Sequence, residues 1–204
     1  MPVMGGDYPR PVGKSLFTRR DAWTGAYYEL AFCRYPASDG VNDLAPLVWS
    51  REDISGPYSS NELEPSEQIP LDPSAAASPG KFYGVAHLPN GTDCPCATST
   101  IGIDYPFHNE LEKVTEWFAL GIPMGGLSNA GVDVGAYPFD DTIDWMPPID
   151  QWLADIALSA AHANIGFSYA LIGHDVSGNE QPDTPTRHLK SIDTEGFHQP
   201  TAST

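Results

Sequence analysis

Basic residues are scarce in this chain of 204 residues, which has 10 Lys and Arg against 27 Asp and Glu and a formal net charge of −17 at pH 7. A surface this negative repels nucleic acid and anionic lipid, which argues against a nucleic-acid-binding or membrane-surface protein. The same field attracts basic proteins and speeds their association at low salt. Salt-adapted cells also make acidic proteins for solubility, and the sequence favours the two explanations equally.

Cysteines are few, and long apolar runs are missing. Three Cys are fewer than a disulfide-stapled secreted domain normally carries, and an odd number leaves one thiol unpaired. No run approaches the ~20 apolar residues that cross a bilayer, and residues 1–10 lack the basic-then-apolar order of a secretory signal. We therefore expect a cytoplasmic protein without a membrane partner.

Large apolar side chains are plentiful, by contrast. Hydrophobic residues make up 41% of the chain and include five Trp, nine Tyr and eight Phe, too many for a disordered protein. A chain of this length buries roughly 70% of its unfolded surface, so a real core is expected. Glycine, proline and polar runs predict an irregular arm over 1–16, a single α+β domain over 17–176 and a polar tail over 177–204, disordered or draped on the surface.

The first half of the domain predicts one strand, one short helix and one surface excursion. Alternation and aromatic enrichment over 23–35 favour a long strand, and apolar spacing over 41–49 favours a helix. Five prolines between 56 and 80 are typical of an exposed excursion.

The second half begins with a hairpin. Two apolar stretches, 82–88 and 92–103, flank Asn90-Gly91, a pair that readily adopts the positive φ angles of a type I′ turn. Residues 110–120 are consistent with one or two helical turns and are followed by glycine-rich loops.

A helix and a strand follow. Apolar residues over 149–163 repeat at helical spacing behind Pro147-Pro148, and 166–172 alternate as a strand. The resulting order βαββαβ predicts an antiparallel sheet with helices on one face, a ferredoxin-like arrangement with a long insertion, although other α+β sheets share that order.

Histidines at strand ends are candidate catalytic groups. His87 ends one hairpin strand, and His174 ends the last strand beside Asp175. A histidine next to a carboxylate can act as a general base or ligand, and sheet ends often carry such groups. The alternative for each is a surface or structurally bonded histidine.

Cys94 and Cys96 are candidate metal ligands or a reactive pair, because alternate residues of a strand point to the same face. Structural zinc normally needs a second ligand pair, and the chain has no second cysteine pair, so two small buried residues are the better interpretation. We expect neither a metal nor another cofactor.

Acidic residues cluster in the last third of the chain, where the calcium-loop register Asp-x-Asp-x-Asp-Gly is absent. We interpret them as a solvated negative face that binds a basic surface. Two tryptophans, Trp23 and Trp145, are added to this candidate binding set. The candidate binding residues are Asp140, Asp141, Asp144, Asp150, Asp155, Trp23 and Trp145.

Two functions of different classes fit these features. The first is a non-catalytic acidic interaction protein, inhibitor-like or immunity-protein-like, that binds a basic protein. The second is a small-molecule enzyme or binding domain whose polar groups are the histidine candidates above. Its aromatic pocket would be formed by Trp23, Tyr27, Trp117, Trp145 and Tyr169. A structural subunit of a larger assembly is a third possibility.

Overall fold

A computed structural model describes residues 20–23, 25–34, 44–61, 64–68, 81–104, 114–134, 147–167, 169–176, 190–193 and 196–198. The strands in these segments are β1 (Tyr27–Arg34), β2 (Ile54–Asn61), β3 (Glu64–Gln68), β4 (Lys81–His87), β5 (Asp93–Asp104), β6 (Val114–Pro123), β7 (Tyr169–His174), β8 (Lys190–Asp193) and β9 (Gly196–His198). The helices are a 3-10 turn (Arg20–Trp23), α1 (Leu44–Trp49), α2 (Met124–Asn129) and α3 (Pro147–His162).

These strands form one antiparallel sheet in the order β3-β2-β4-β5-β6-β1-β7-β8-β9. The α+β class predicted from the sequence is therefore confirmed. The four strands expected from the sequence, β1, β4, β5 and β7, keep the relative order of a split βαβ unit, but β4 and β5 run in the opposite directions relative to β1. In addition, β6 lies between β1 and β5, which that fold pairs directly, so the ferredoxin-like arrangement is not what the sheet shows.

The three α-helices pack on one face of the sheet. Alternate residues of β1 and β7, such as Leu30 and Ile172, belong to the large core beneath α1, α2 and α3. The residues between them, such as Ala31 and Leu171, belong to a second cluster on the opposite face. We call these the helix face and the open-sheet face. None of the helices in the described segments is long and apolar enough to cross a membrane.

The hairpin is confirmed, but its turn differs from the type predicted. The Gly91 N–H donates to the Leu88 carbonyl at 2.8 Å and the Leu88 N–H to the Thr92 carbonyl at 2.9 Å. Gly91 has φ 81°, whereas Asn90 does not have a positive φ. This is a type I turn with Pro89 at its first central position and a left-handed glycine after it, because the fixed φ of proline suits that position.

Three other segments differ from the expectations. Two strands, β2 and β3, occupy part of the predicted excursion 56–80. Pro65 is tolerated because β3 is the edge of the described sheet, and Pro57 lies where the β2–β4 pairing shifts register. The possible helical turns over 110–120 give way to β6, whose residues alternate between the two faces. The predicted tail contains β8 and β9, in which Ile192 pairs with both Ala170 and Phe197.

The remaining elements agree with the sequence. The helix α3 starts at the Pro-Pro entry, since proline fits a first helical turn, and is followed by Asn164 with φ 56°. The long first strand and the last predicted strand appear as β1 and β7, and the short helix as α1. The arm over 1–16 lies outside the described residues.

Candidate functional site at one end of the sheet

Strand pairing brings Ser55, His87 and Asp93 together on the open-sheet face. His87, the last residue of β4, lies opposite Asp93, the first residue of β5. Ser55 in β2 lies opposite Val85, two residues before His87 and therefore on the same face. Three adjacent strands thus each supply one polar side chain.

Hydrogen bonds connect the three side chains in a row. The Ser55 Oγ lies 2.7 Å from His87 Nε2, and His87 Nδ1 lies 2.8 Å from Asp93 Oδ1. An ionised carboxylate accepts hydrogen bonds only, so Nδ1 carries a proton and donates it to Asp93. In the neutral imidazole Nε2 then accepts the hydrogen bond that the Ser55 hydroxyl donates. We call these residues the Ser55 cluster.

Packing fixes the backbone that carries Ser55. A Cβ atom at Gly84 would lie 2.7 Å from the Ser55 carbonyl oxygen and would also overlap the Trp49 ring. A Cβ atom at Gly56 would lie 2.8 Å from the same ring. The Trp49 ring therefore packs against two glycines that flank the Ser55 backbone. A larger residue at Gly56 or Gly84 would occupy the space that the ring fills.

The cluster itself is accessible to solvent. The His87 side chain is 39% exposed and the Asp93 side chain 55% exposed, while Ser55 is half-buried. Water and small solutes can reach the imidazole, and charge–charge effects at the cluster are correspondingly screened.

A second polar network adjoins the cluster. The Arg51 Nε and Nη2 atoms each donate to the Asp53 carboxylate at 2.8 Å, and Trp152 Nε1 on α3 donates to the same carboxylate. Burial raises the pKa of Asp53, but these hydrogen bonds outweigh it and hold that pKa below the ordinary value. The Asp53 carbonyl accepts from the His87 N–H at 2.8 Å, which joins the 50–53 turn to the end of β4.

Exposed carboxylates from four segments surround this end of the sheet. Glu52 lies in the 50–53 turn, Asp93 starts β5, Asp133 follows α2 and Asp155 lies on α3 beside Arg51. The hairpin contacts the end of α2, because the Asn90 and Thr92 side chains donate to the Ala130 carbonyl at 3.0 and 3.2 Å. We call Glu52, Asp93, Asp133 and Asp155 the acidic end.

The second histidine candidate lies elsewhere. His174 is on the helix face, where its ring is edge-on to Tyr28 with centroids 5.0 Å apart. Three strands separate β4 from β7, which puts His174 about 19 Å from His87 at normal strand spacing. Asp175 accepts a hydrogen bond from the Tyr27 N–H at 2.9 Å and so closes the β1–β7 pairing. The structure does not bring the two histidines together.

Asp150 does not lie on the solvated acidic face that the sequence suggested. It is 5% exposed and accepts a hydrogen bond from the Tyr28 hydroxyl at 2.5 Å. The first turn of α3 points it towards the sheet, where a carboxylate is also favoured by the helix dipole. Asp155, one helical turn further on, is exposed, whereas Asp140, Asp141, Asp144 and Trp145 lie outside the described residues.

Cys94 and Cys96 share one face of β5, as the alternation predicted, and both are fully buried on the helix face. Burial raises the pKa of Cys94 to about 12 and that of Cys96 well above its ordinary value. Such thiols stay protonated at neutral pH, which disfavours metal binding and nucleophilic attack. Across the described segments, no three His, Cys, Asp or Glu side chains are grouped to hold a metal ion.

Four of the aromatic candidates, Trp23, Tyr27, Trp117 and Tyr169, lie on the open-sheet face and serve mainly as packing, whereas Trp145 is outside the described residues. The Trp23 ring meets the Tyr83 ring edge-on at 5.4 Å, and the Trp117 ring meets the Tyr169 ring at 5.9 Å. Trp117 is 1% exposed, so it belongs to the core. Burial, together with the neighbouring Tyr83, Asp175 and Glu29, raises the pKa of Tyr27.

Sequence reasoning singled out His87 but missed both of its partners. Asp93 was within reach, since a three-residue loop over 89–91 places residue 93 opposite residue 87. Ser55 was not, because it depends on β2, a strand that prolines made look like an excursion.

No protein-family model, no curated protein and no solved structure matches this chain.

Proposed function

We propose that this protein is an acidic interaction protein of the inhibitor or immunity-protein kind, which binds a basic protein through the acidic end. The observation that carries the proposal is the sign of the exposed charge. Among the side chains that the structure describes, every exposed charged one is a carboxylate, and Arg51 is the one Lys or Arg. Arg51 is paired with Asp53 and lies beside Asp155, and among the described side chains no other Lys or Arg offsets the charge of the acidic end.

The turns that carry these carboxylates are held by hydrogen bonds. Backbone bonds close the 50–53 turn, the hairpin turn and the turn after α2, and the Asn90 side chain joins the last two. A charged surface that is ordered before binding loses little conformational entropy on association. Complementary charge steers the encounter, so the association rate is expected to depend strongly on salt.

The test is capture of the partner on immobilised protein from its own cell extract, at low and high salt. We expect one basic protein in stoichiometric amount, released by high salt. With the purified pair, the association rate should fall steeply with ionic strength. It should fall at least tenfold in a Glu52→Gln, Asp133→Asn, Asp155→Asn variant, which leaves the Ser55 cluster intact.

Location is controlled with single variants of equal charge. Asp133→Asn should slow association more than Asp175→Asn, because Asp175 follows β7, which three strands separate from β4, and the Asn variant retains an oxygen that accepts from the Tyr27 N–H. An association rate that neither salt nor the triple variant changes would overturn the proposal.

We also propose that the protein works in the cytoplasm. Cys33, Cys94 and Cys96 are all buried free thiols, a state typical of a reducing compartment. Fractionation of cells that express the tagged protein tests this, and recovery outside the cytoplasmic fraction would contradict it.

A further inference from the structure

The Ser55 cluster meets the geometric requirements for activating a serine hydroxyl. A serine nucleophile needs a base within hydrogen-bond reach, roughly 2.6–3.2 Å, and a third group that orients the base. The two distances here are 2.7 and 2.8 Å. We propose that Ser55 is an activated nucleophile that hydrolyses small neutral or cationic esters, with His87 as general base and Asp93 as the residue that positions His87.

The reaction follows from the tautomer that Asp93 imposes. Ser55 Oγ attacks the ester carbonyl carbon while its proton passes to His87 Nε2. The ester C–O bond breaks, and the leaving alcohol takes that proton from Nε2, which leaves an acyl group on Ser55. A water molecule then gives a proton to Nε2 and its oxygen to the acyl carbon. Ser55 Oγ leaves with the proton, so that one ester and one water become one acid and one alcohol.

The surroundings of the cluster decide the class of ester. His87 and Asp93 are 39% and 55% exposed, so a small ester reaches them from solvent without any rearrangement of the sheet. Carboxylates lie next to the cluster, with Glu52 and Asp53 in the adjoining turn. An anionic ester is repelled from this end, whereas a neutral or cationic one is not.

The backbone that carries the Ser55 cluster is rigid, which favours a catalytic role for these three side chains. Ser55, His87 and Asp93 stand on three paired strands, and Trp49 packs against Gly56 and Gly84 on either side of the Ser55 backbone. Sites built on strands hold their geometry better than sites on loops. The sequence already suggested a small-molecule enzyme that uses His87, and Ser55 now provides the nucleophile for that function. This proposal does not rest on the proposed docking of a basic partner.

Labelling with a fluorophosphonate, followed by intact-mass measurement and peptide mapping, tests the inference. We expect one adduct per chain, on Ser55, and none with Ser55→Ala. The matched control is Ser50→Ala, because Ser50 is an exposed serine whose hydroxyl donates to a backbone carbonyl and not to a histidine. Urea unfolding of each variant verifies that the fold is retained.

The roles of His87 and Asp93 are tested by rescue. His87→Ala should lower the labelling rate about 10²-fold or more, and added imidazole should restore part of it. Asp93→Asn should lower the rate, whereas Asp93→Glu should retain most of it. If these hydrogen bonds only connect the strands, neither added imidazole nor the Asp93→Glu substitution would preserve the labelling rate.

Substrate class is tested with 4-nitrophenyl acetate against the anionic 4-nitrophenyl hemisuccinate. We expect a burst of nitrophenol with the acetate that disappears in Ser55→Ala, and a rate for the hemisuccinate at least tenfold lower. The inference is overturned if folded wild-type protein forms no Ser55 adduct, or if His87→Ala labels as fast as wild type. If Ser55→Ala still captures the partner in a salt-dependent way, docking of the partner is independent of the Ser55 nucleophile.

Discussion

Two polar clusters with similar chemistry lie on opposite faces of the same sheet. On the helix face, the Tyr28 hydroxyl donates to Asp150, which is 5% exposed beneath α3. On the open-sheet face, Ser55, His87 and Asp93 form a hydrogen-bonded row in which Asp93 is 55% exposed. Burial makes the first pair costly to break, whereas exposure makes the second cheap to change and accessible to other molecules. We therefore expect the first pair to matter for stability and the second cluster for the proposed chemistry.

The largest expected effect comes from the packing that holds α3 over the buried pair. Leu153→Ala should lower the free energy of unfolding by about 2–5 kcal/mol, because Leu153 is fully buried in the core of the helix face. Leu158→Ala on the same helix is the control, since Leu158 is half-buried and should lose less. Urea unfolding followed by tryptophan fluorescence measures both losses. Equal losses would contradict the placement of α3.

The comparison itself is tested by two aspartate-to-alanine changes. Asp150→Ala removes the acceptor of the buried Tyr28 hydroxyl and should lower the free energy of unfolding by about 1–3 kcal/mol. Asp93→Ala should change it by no more than about 0.5 kcal/mol, as exposed pairs do. The same urea experiment measures both variants. Asp150→Asn keeps an oxygen acceptor and should fall between them, while a larger loss for Asp93→Ala would reverse the comparison.

The buried thiols give a measure of how closed the helix face is. On the helix face, burial raises the pKa of Cys94 to about 12 and that of Cys96 well above its ordinary value; on the open-sheet face, burial raises the pKa of Cys33 to about 11. Since the thiolate is the reactive form, Ellman's reagent should modify the native protein slowly and all three thiols after unfolding. Rapid modification of Cys94 or Cys96 in native protein would show that the helix face opens.

The smallest effect is on the pH dependence of stability. The folded pKa of Asp53 is lowered, so the stability from its ionised form is present above the ordinary pKa of 3.8 and is lost as pH falls through the folded value. The difference in unfolding free energy between wild type and Asp53→Asn should be constant above about pH 5 and shrink below about pH 4. Arg51→Met should reduce that pH dependence, and a difference that grows on acidification would contradict the sign.

The contrast also explains how far the sequence could predict this molecule. Local signals were strong for α3, β1 and the Asn-Gly hairpin, because helical or alternating spacing is written in neighbouring residues. The strands β2, β3 and β6 depend on partners distant in sequence, and prolines and glycines concealed them. The Ser55 cluster needs three strands in register, so only His87 stood out beforehand. Asp150 was misplaced because its burial depends on which side of α3 faces the sheet.

The state of the His87 ring tests the central claim most directly, namely that β2, β4 and β5 hold Nε2 towards Ser55 and Nδ1–H towards Asp93. Nitrogen-15 NMR of the histidine side chains distinguishes the two neutral tautomers by their chemical shifts. The account predicts that neutral His87 carries its proton on Nδ1 and that Asp93→Asn weakens this preference. A proton on Nε2 in the wild-type protein would contradict the account, because Nε2 would then be unable to accept the Ser55 hydroxyl proton.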